Sequence, residues 1–225
     1  MNYLRLALKL VVSGDRELWT IILTTLEMSL FSTVISAVLG FPLGIWLGSR
    51  SSRLREIVKR ITNTLMSLPP VVAGLVVFLL FRSVGPFGGL HLLFSVPVMV
   101  IAQVILITPV VAGMTSSIVE IKAPSIIETA AGLSIGRARC RALILRECSP
   151  QLVGVLLLGF GRSIAEVGAV SLVGGNIENK TRVMTTAIML EANRGDFDLA
   201  LANGIILLVI SLVVNLIAGR FTRSE

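Results

Sequence analysis

Charged residues are scarce in this sequence. Only 15% of its 225 residues are Asp, Glu, Lys or Arg, while 54% are hydrophobic, and the mean hydropathy is +0.90. A soluble domain carries about 25% charged residues to cover its surface. The shortage excludes an ordinary soluble domain and indicates a chain that lies largely in a membrane.

Histidine and cysteine are nearly absent as well. The chain has one histidine, His91, and two cysteines, Cys140 and Cys148, which are too far apart for a CxxC metal or redox motif. Intramembrane hydrolysis needs a serine with a histidine, paired aspartates or an HExxH motif, and the apolar runs contain no Asp. The sequence thus argues against a membrane-embedded enzyme and against a metal site.

Long runs without charge occupy much of the chain. A bilayer core of about 30 Å is crossed by roughly 20 apolar helical residues. The runs without Asp, Glu, Lys or Arg are 28–49, 61–81, 83–119 and 199–219, and the run 151–177 contains only Arg162 and Glu166. They predict an all-α membrane protein, a single integral-membrane domain over 1–225. Its five spans are expected at approximately 20–48, 62–81, 95–118, 151–172 and 199–219.

The cations indicate an orientation, because Lys and Arg are enriched in cytoplasmic connections. They cluster in the first and third connections and after the last span: Arg50, Arg53, Arg55, Lys59 and Arg60; Lys122, Arg137, Arg139, Arg141 and Arg146; Arg220 and Arg223. The other connections mix fewer cations with acids such as Glu178 and Asp196. We therefore expect the N-terminus outside and the C-terminus inside. This placement also explains the net charge of +7 without nucleic acid.

Prolines and glycines modify two of the spans. Pro69 and Pro70 remove two backbone donors near the cytoplasmic end of span two, so a kink or break is expected there. The bend either shapes a pathway or is an ordinary kink satisfied by neighbouring helices. Gly40, Gly44 and Gly48 follow one another at four-residue spacing in span one and favour close helix packing.

The connection 119–150 is long, basic and able to form helices. Pro124 is suited to open a helix that Gly132 ends or bends, and Ser134 can cap a second helix that runs to about Glu147. We expect two short helices at an angle that expose a small apolar knob. Such a knob either meets a soluble partner or lies on anionic lipid.

The same connection resembles the coupling loop of ABC-importer permeases. That motif runs Glu-Ala-Ala, three residues, Gly, nine residues, Ile, one residue, Leu-Pro, whereas residues 128–134 here read ETAAGLS. Glu128, Ala130 and Ile144 match the motif. Thr129 replaces the first alanine, Ser134 stands where glycine is usual and follows Gly132 closely, and Arg146-Glu147 replaces Leu-Pro.

A second block resembles the permeases of tungstate or molybdate/tungstate importers. Residues 159–170 read GFGRSIAEVGAV, 173–177 read VGGNI, 181–188 read TRVMTTAI and 68–75 read LPPVVAGL. The likeness extends from Leu18 to Asn215. It implies a type I ABC importer transmembrane domain with a cytoplasmic coupling helix, in the cytoplasmic membrane of a bacterium or archaeon.

The resemblance also implies the partners. Two copies of the permease form the pathway, a cytoplasmic ATPase dimer binds the coupling loops, and an external protein delivers the oxyanion. The chain has no GxxxxGK[ST] motif, so ATP and Mg belong to the ATPase, and no cofactor is expected here. A molybdate or sulfate permease and, from another class, a gradient-driven carrier are the alternatives. A carrier would leave the protruding loop without a role.

Two groups of residues are candidates for contact with the anion. Arg162, Ser163 and Glu166 lie in span four, and the four-residue spacing lets the arginine and the glutamate pair. In one interpretation, Glu166 holds the Arg162 cation near the path of the anion. In the other, the two residues form a structural ion pair that joins helices. At the outer mouth, Gly174, Gly175 and Asn176 offer backbone donors and Arg182 follows, which is the pattern of an anion-receiving loop or of an ordinary polar turn.

Overall fold

A computed structural model describes residues 11–12, 15–49 and 52–222, without the side chains of Arg137 and residues 218–222. Its main helices, numbered in chain order, are α1 (Arg16–Gly48), α2 (Arg53–Met66), α3 (Pro70–Phe81), α4 (Val96–Gly132), α5 (Arg137–Ile164), α6 (Gly168–Gly174), α7 (Met184–Arg194) and α8 (Phe197–Thr222). A 3-10 turn at Gly88–Leu90 lies between α3 and α4. The described residues form no β-strand, which confirms the all-α prediction.

Within the described part of the chain, four helices are long and apolar enough to cross a membrane, namely α1, α4, α5 and α8. A fifth span is formed if α2 and α3 are taken together, although the two axes are bent by 100°. The described residues therefore contain four or five candidate spans, where the sequence predicted about five. The second and fourth spans are broken, whereas the sequence predicted the single segments 62–81 and 151–172.

The glycines of α1 set its contact with α4. A methyl group on Gly44 would lie 2.5 Å from Cβ of Thr115 and 2.6 Å from the carbonyl oxygen of Ala112, and one on Gly48 would lie 2.5 Å from the Ser116 carbonyl. The two backbones are thus in direct contact. Later residues of α1 contact later residues of α4, so the two helices are parallel. The expected close packing is confirmed.

Span two is not the single segment 62–81 that the sequence predicted. Its first half starts earlier, at Arg53, and runs antiparallel to α4, because Lys59 binds Glu120 at 2.5 Å while Met66 packs against Gly113. The expected break is confirmed at 67–69. Pro70 opens α3 at its first turn, where its missing N–H leaves no helical hydrogen bond unmade.

The connection 119–150 does not contain two separate short helices, so that expectation was wrong. Helix α4 continues from the membrane to Gly132, with Pro109 and Pro124 inside it, and α5 continues from Arg137 through Pro150. Gly132 ends the first helix as expected. Ser134 does not cap the second, since Gly136 takes that position without a side-chain bond.

Buried contacts explain why these helices extend through their prolines. The antiparallel pair packs through an apolar cluster of Val119, Ala123, Ile144, Cys148 and Leu152. The ammonium of Lys122 on α4 donates to the carbonyl of Glu147 at 2.6 Å and to Oε1 of Gln151 at 3.0 Å on α5. Packing of this kind outweighs the local cost of a proline. We call residues 119–152 the helical hairpin.

Span four also differs from the expected segment 151–172. Helix α5 ends at Ile164, residues 165–167 are not helical, and the short helix α6 follows. Helix α6 is held by the main apolar cluster, in which Ala169, Val170 and Val173 meet Val77 and Met99. The last span is confirmed, since α8 covers 199–219.

Candidate functional site

The breaks in the second and fourth spans lie against each other. A methyl group on Gly168 would lie 2.8 Å from Cγ2 of Val71, and one on Gly74 would lie 2.7 Å from Cα of Ala169. The segment after Pro69 therefore touches the segment after Glu166. We call residues 67–71 and 165–169 the broken-helix junction. Irregular backbone at membrane depth is stable only inside protein or beside water, so this junction is a natural place for a pathway.

Glu166 is a structural member of the junction. Its Oε1 accepts a hydrogen bond from the backbone N–H of Ala169 at 3.1 Å, and its carbonyl accepts one from the hydroxyl of Thr185 at 2.8 Å. The carboxylate thus supports the first turn of α6, and the carbonyl is linked to the first turn of α7. Among the described residues it forms no ion pair with Arg162, so the expected Arg162–Glu166 pair was wrong.

The helix break explains the missing pair. Four-residue spacing brings two side chains together only while the backbone stays helical, and the helix ends at Ile164, between the two residues. The half-buried Arg162 sits in the last turn of α5, and its Nε has no hydrogen-bond partner within the described part of the chain. A buried guanidinium nitrogen without a protein partner requires water or an anion.

Ser163 is fully buried beside Arg162 and joins three helices. Its hydroxyl lies 2.8 Å from that of Ser32 on α1, and its carbonyl accepts a hydrogen bond from Nε2 of Gln103 on α4 at 3.3 Å. Sequence reasoning missed Ser32 and Gln103. The available signals were a lone amide in an apolar run and the recurrence of Ser29, Ser32 and Ser36 on one helical face.

The predicted outer loop is tightly folded. The N–H of Gly175, at φ 71°, donates to the carbonyl of Ser171 at 3.0 Å, and the carbonyl of Gly174 accepts from the Thr181 hydroxyl at 2.6 Å. The Gly175 amide is therefore not an open donor, contrary to the expectation. Asn176 has φ 50°, and its buried Oδ1 has no partner among the described atoms.

Arg182 is already surrounded by acids. Its guanidinium lies 2.6 Å from Oε1 of Glu17 and 3.8 Å from Oε2 of Glu178, and only 10% of its side chain is exposed. These carboxylates neutralise its charge and tie the loop to the start of α1. Arg182 is thus placed as a structural cation, whereas Arg162 keeps its charge uncompensated by side chains.

The coupling motif is divided between an exposed and a buried face of the helical hairpin. Glu128, Thr129, Gly132 and Ser134 are exposed, whereas Ala130 and Ile144 are 3% and 2% exposed. The alanine and isoleucine therefore pack the hairpin, and the glutamate and threonine face outward.

The turn at the tip of the hairpin explains the departure at Ser134. Ser134 adopts φ 55°, the N–H of Ile135 donates to the carbonyl of Ala130 at 2.8 Å, and the N–H of Ser134 donates to that of Ala131 at 3.1 Å. This is a Schellman ending, in which the left-handed position is usually glycine. The turn therefore keeps its geometry with a serine in the glycine's place, and it leaves Leu133 67% exposed.

Comparison with known proteins identifies the family of this chain. Residues 40–224 match the model of the family described as binding-protein-dependent transport system inner membrane component. The chain is 38% identical over 211 residues to the tungstate uptake system permease protein TupB of Peptoclostridium acidaminophilum, covering 94% of this chain and 92% of the relative. It is 34% identical over 218 residues to the TupB of Campylobacter jejuni, covering 97% and 91%.

A solved structure shares the fold. The chain superposes on an inward-facing MetNI methionine ABC transporter chain with a TM-score of 0.73 at 18% identity, covering 93% of this chain and 94% of the other. At that identity the likeness concerns the fold alone. With the family model across most of its length and two permeases above 30% identity, this chain belongs to the inner membrane components of binding-protein-dependent transport systems.

Proposed function

We propose that this chain is the transmembrane subunit of an ATP-driven oxyanion importer, with tungstate as its cargo. The observation that carries the proposal is Arg162, a cation without a side-chain partner one turn before the broken-helix junction. An uncompensated guanidinium beside irregular backbone suits a pathway for a dianion. Its two similar relatives named as tungstate permeases support the choice of cargo.

A single cation also fits transport better than a dense cluster. Several guanidiniums would hold a dianion tightly, whereas one partly hydrated guanidinium attracts it and still releases it. Molybdate is a tetrahedral dianion of nearly the same size, so we expect the external binding protein to choose between the two. A molybdate or sulfate permease remains the alternative assignment.

The family and the helical hairpin support a proposal for the partners. We infer two copies of this chain around the pathway, an ATPase dimer on the cytoplasmic side and a binding protein on the outer side. The ATPase binds ATP and Mg and hydrolyses the nucleotide, and this chain is the non-catalytic permease. The N-terminus is outside and the C-terminus inside the cytoplasmic membrane, as the distribution of cations suggests.

The test is oxyanion uptake into vesicles that contain the permease with its ATPase and binding protein. Arg162→Gln should lower tungstate uptake by about 30-fold or more, since a hydrogen bond to a charged group contributes roughly 2 kcal/mol. Arg194→Gln is the control, because that arginine is exposed and its charge is already compensated by Glu191 at 2.9 Å. Its uptake should stay within about twofold of the unchanged protein.

Two results would refute parts of the proposal. Normal uptake by Arg162→Gln removes that arginine from the pathway. Full-rate uptake by the permease alone, in sealed liposomes without ATPase, identifies a gradient-driven carrier. Competition by molybdate and sulfate in the same vesicles measures the cargo preference.

A further inference from the structure

A groove of about 620 Å³ opens between the end of α1, the start of α2 and the helical hairpin. Its walls are largely apolar, with Phe41 and Ile45 from α1 and Ile144 and Leu145 from α5. The volume lies within the range of sites that hold small organic ligands. We call this cavity the α1–hairpin groove.

Two arginines line the otherwise apolar groove. Arg55 at the start of α2 lies with its guanidinium carbon 5.1 Å from the centre of the Trp46 ring, and the exposed Arg141 lines the groove from α5. A ligand with an apolar body and a negatively charged head suits this lining, with the exposed Arg141 as the principal cation.

The groove sits where the helices leave the apolar layer. Gly48, the last residue of α1, packs against Val119 on α4, and Val119 is the last residue of a charge-free run that Glu120 ends. Tryptophan is typical of the interface between lipid and water, and Trp46 lies at this level. This level suits contact of the apolar part of the groove with acyl chains and of its arginines with headgroups.

We propose that the α1–hairpin groove binds an anionic phospholipid of the cytoplasmic leaflet. Its phosphate would be held by Arg141 beside Arg55, and its acyl chain would lie along Phe41, Ile45 and Leu145. The bound lipid bridges the corner between α1 and α2 to the helical hairpin. The proposal concerns lipid binding and stands whichever anion the chain transports.

Trp46 allows a direct measurement in the full-length chain. The sequence has two tryptophans, so Trp19→Phe leaves Trp46 as the fluorophore. The protein is reconstituted in nanodiscs of phosphatidylcholine with increasing fractions of brominated phosphatidylglycerol or brominated phosphatidylcholine. Quenching by the anionic lipid should reach half its maximum at a fraction about tenfold lower than quenching by the neutral lipid.

Arg141→Gln should weaken the phosphatidylglycerol preference about fivefold, the effect of one cation at an anionic surface. Arg139→Gln is the matched control, because this exposed arginine of the same helix does not line the groove. Ala131→Phe fills the groove without changing charge and should abolish the preferential quenching. It also serves as a second variant if Arg141→Gln does not fold.

Four outcomes overturn the proposal. The two brominated lipids quench equally, or Arg139→Gln reduces the preference as much as Arg141→Gln. Inorganic phosphate at millimolar concentration removes the preference, which would identify a site for a free anion. Addition of the partner ATPase abolishes the quenching at every lipid fraction, which would make the groove part of its docking surface.

Discussion

At the scale of single residues, Glu166 shows how a side chain's role depends on backbone that the sequence does not display. Its carboxylate is four positions from Arg162, yet it accepts a hydrogen bond from Ala169 beyond the helix break. An acceptor at the start of a helix stabilises it through an otherwise unpaired N–H. Glu166 therefore acts as a capping acceptor, and the charge of Arg162 remains for another partner.

Glu166→Gln and Glu166→Ala separate capping from charge pairing. Glutamine retains an oxygen that can accept from Ala169, so uptake should stay within about threefold of the unchanged protein. Alanine removes the acceptor and should cost roughly 1 kcal/mol of stability, lowering the thermal midpoint of the purified permease together with uptake. Vesicle uptake and thermal unfolding in the same detergent measure the two effects.

The double variant Arg162→Gln/Glu166→Gln is the decisive comparison. If the two residues acted as a pair, Glu166→Gln would fail as badly as Glu166→Ala, and the double variant would recover uptake. With separate roles, the double variant transports no better than Arg162→Gln.

At the scale of helices, the contact between α1 and α4 is fixed by residues without side chains. Gly44 lets the two backbones meet where Thr115 and Ala112 would otherwise be displaced. Close approach of this kind gains van der Waals contact in a lipid environment, where burial of apolar surface supplies little drive. The pair α1–α4 therefore forms a rigid frame for the broken helices.

Gly44→Ala tests this frame. The added methyl group must displace Cβ of Thr115 or the Ala112 carbonyl, so we expect a loss of about 1–3 kcal/mol. The thermal midpoint and the monodisperse fraction of purified permease should both fall. Gly154→Ala is the control, because a methyl group there meets no atom within 4 Å and alanine favours a helix; an equal loss in both variants would contradict the packing argument.

The spans could be predicted from sequence because the bilayer sets a minimum apolar length. The ends and breaks of the helices could not, because they depend on contacts between distant residues. Pro124 and Pro150 read as helix boundaries, but the Lys122 link to Glu147 and Gln151 and the buried Ile144 hold both helices continuous. Conversely, nothing between Ile164 and Gly168 reads as a strong breaker, and α6 is fixed by packing against α3.

The candidate site could be predicted only in part, because some of its residues stand out in the sequence and others depend on contacts between distant helices. Arg162 stands out because charge inside an apolar run is costly, and Ser134 stands out against the coupling motif. Arg182 looked equally available in sequence, and only the fold brings Glu17 to within 2.6 Å of it. The partners of Ser163 lie on two other helices, and no local sequence pattern predicts these contacts.

For the whole molecule, the helical hairpin and the membrane core are continuous through two helices. Helix α4 runs from Val96 to the tip at Gly132, and α5 runs from Arg137 to the edge of the broken-helix junction. The Lys59–Glu120 ion pair adds α2 to the same body. On the proposed function, a force applied by the ATPase at the tip would reach Arg162 through the continuous helix α5.

The division of the coupling motif predicts two distinct defects. Glu128→Lys changes an exposed residue, so on the proposed function it should reduce capture of the partner ATPase at least about tenfold while leaving the thermal midpoint of the permease unchanged. Ile144→Ala empties a site that is 2% exposed and should lower stability by about 2–4 kcal/mol. Co-purification of the tagged permease with its ATPase and thermal unfolding measure both.

Glu147→Lys is the matched charge reversal, since its exposed side chain lies on the same hairpin away from the tip. It should retain the ATPase, because only its backbone carbonyl takes part in the Lys122 bond. If Glu128→Lys still captures the ATPase and supports uptake, the exposed half of the motif is not the contact. If both reversals fail alike, capture depends on the overall charge of the hairpin. A selective defect at Glu128 with intact folding would locate the point at which hydrolysis moves the core.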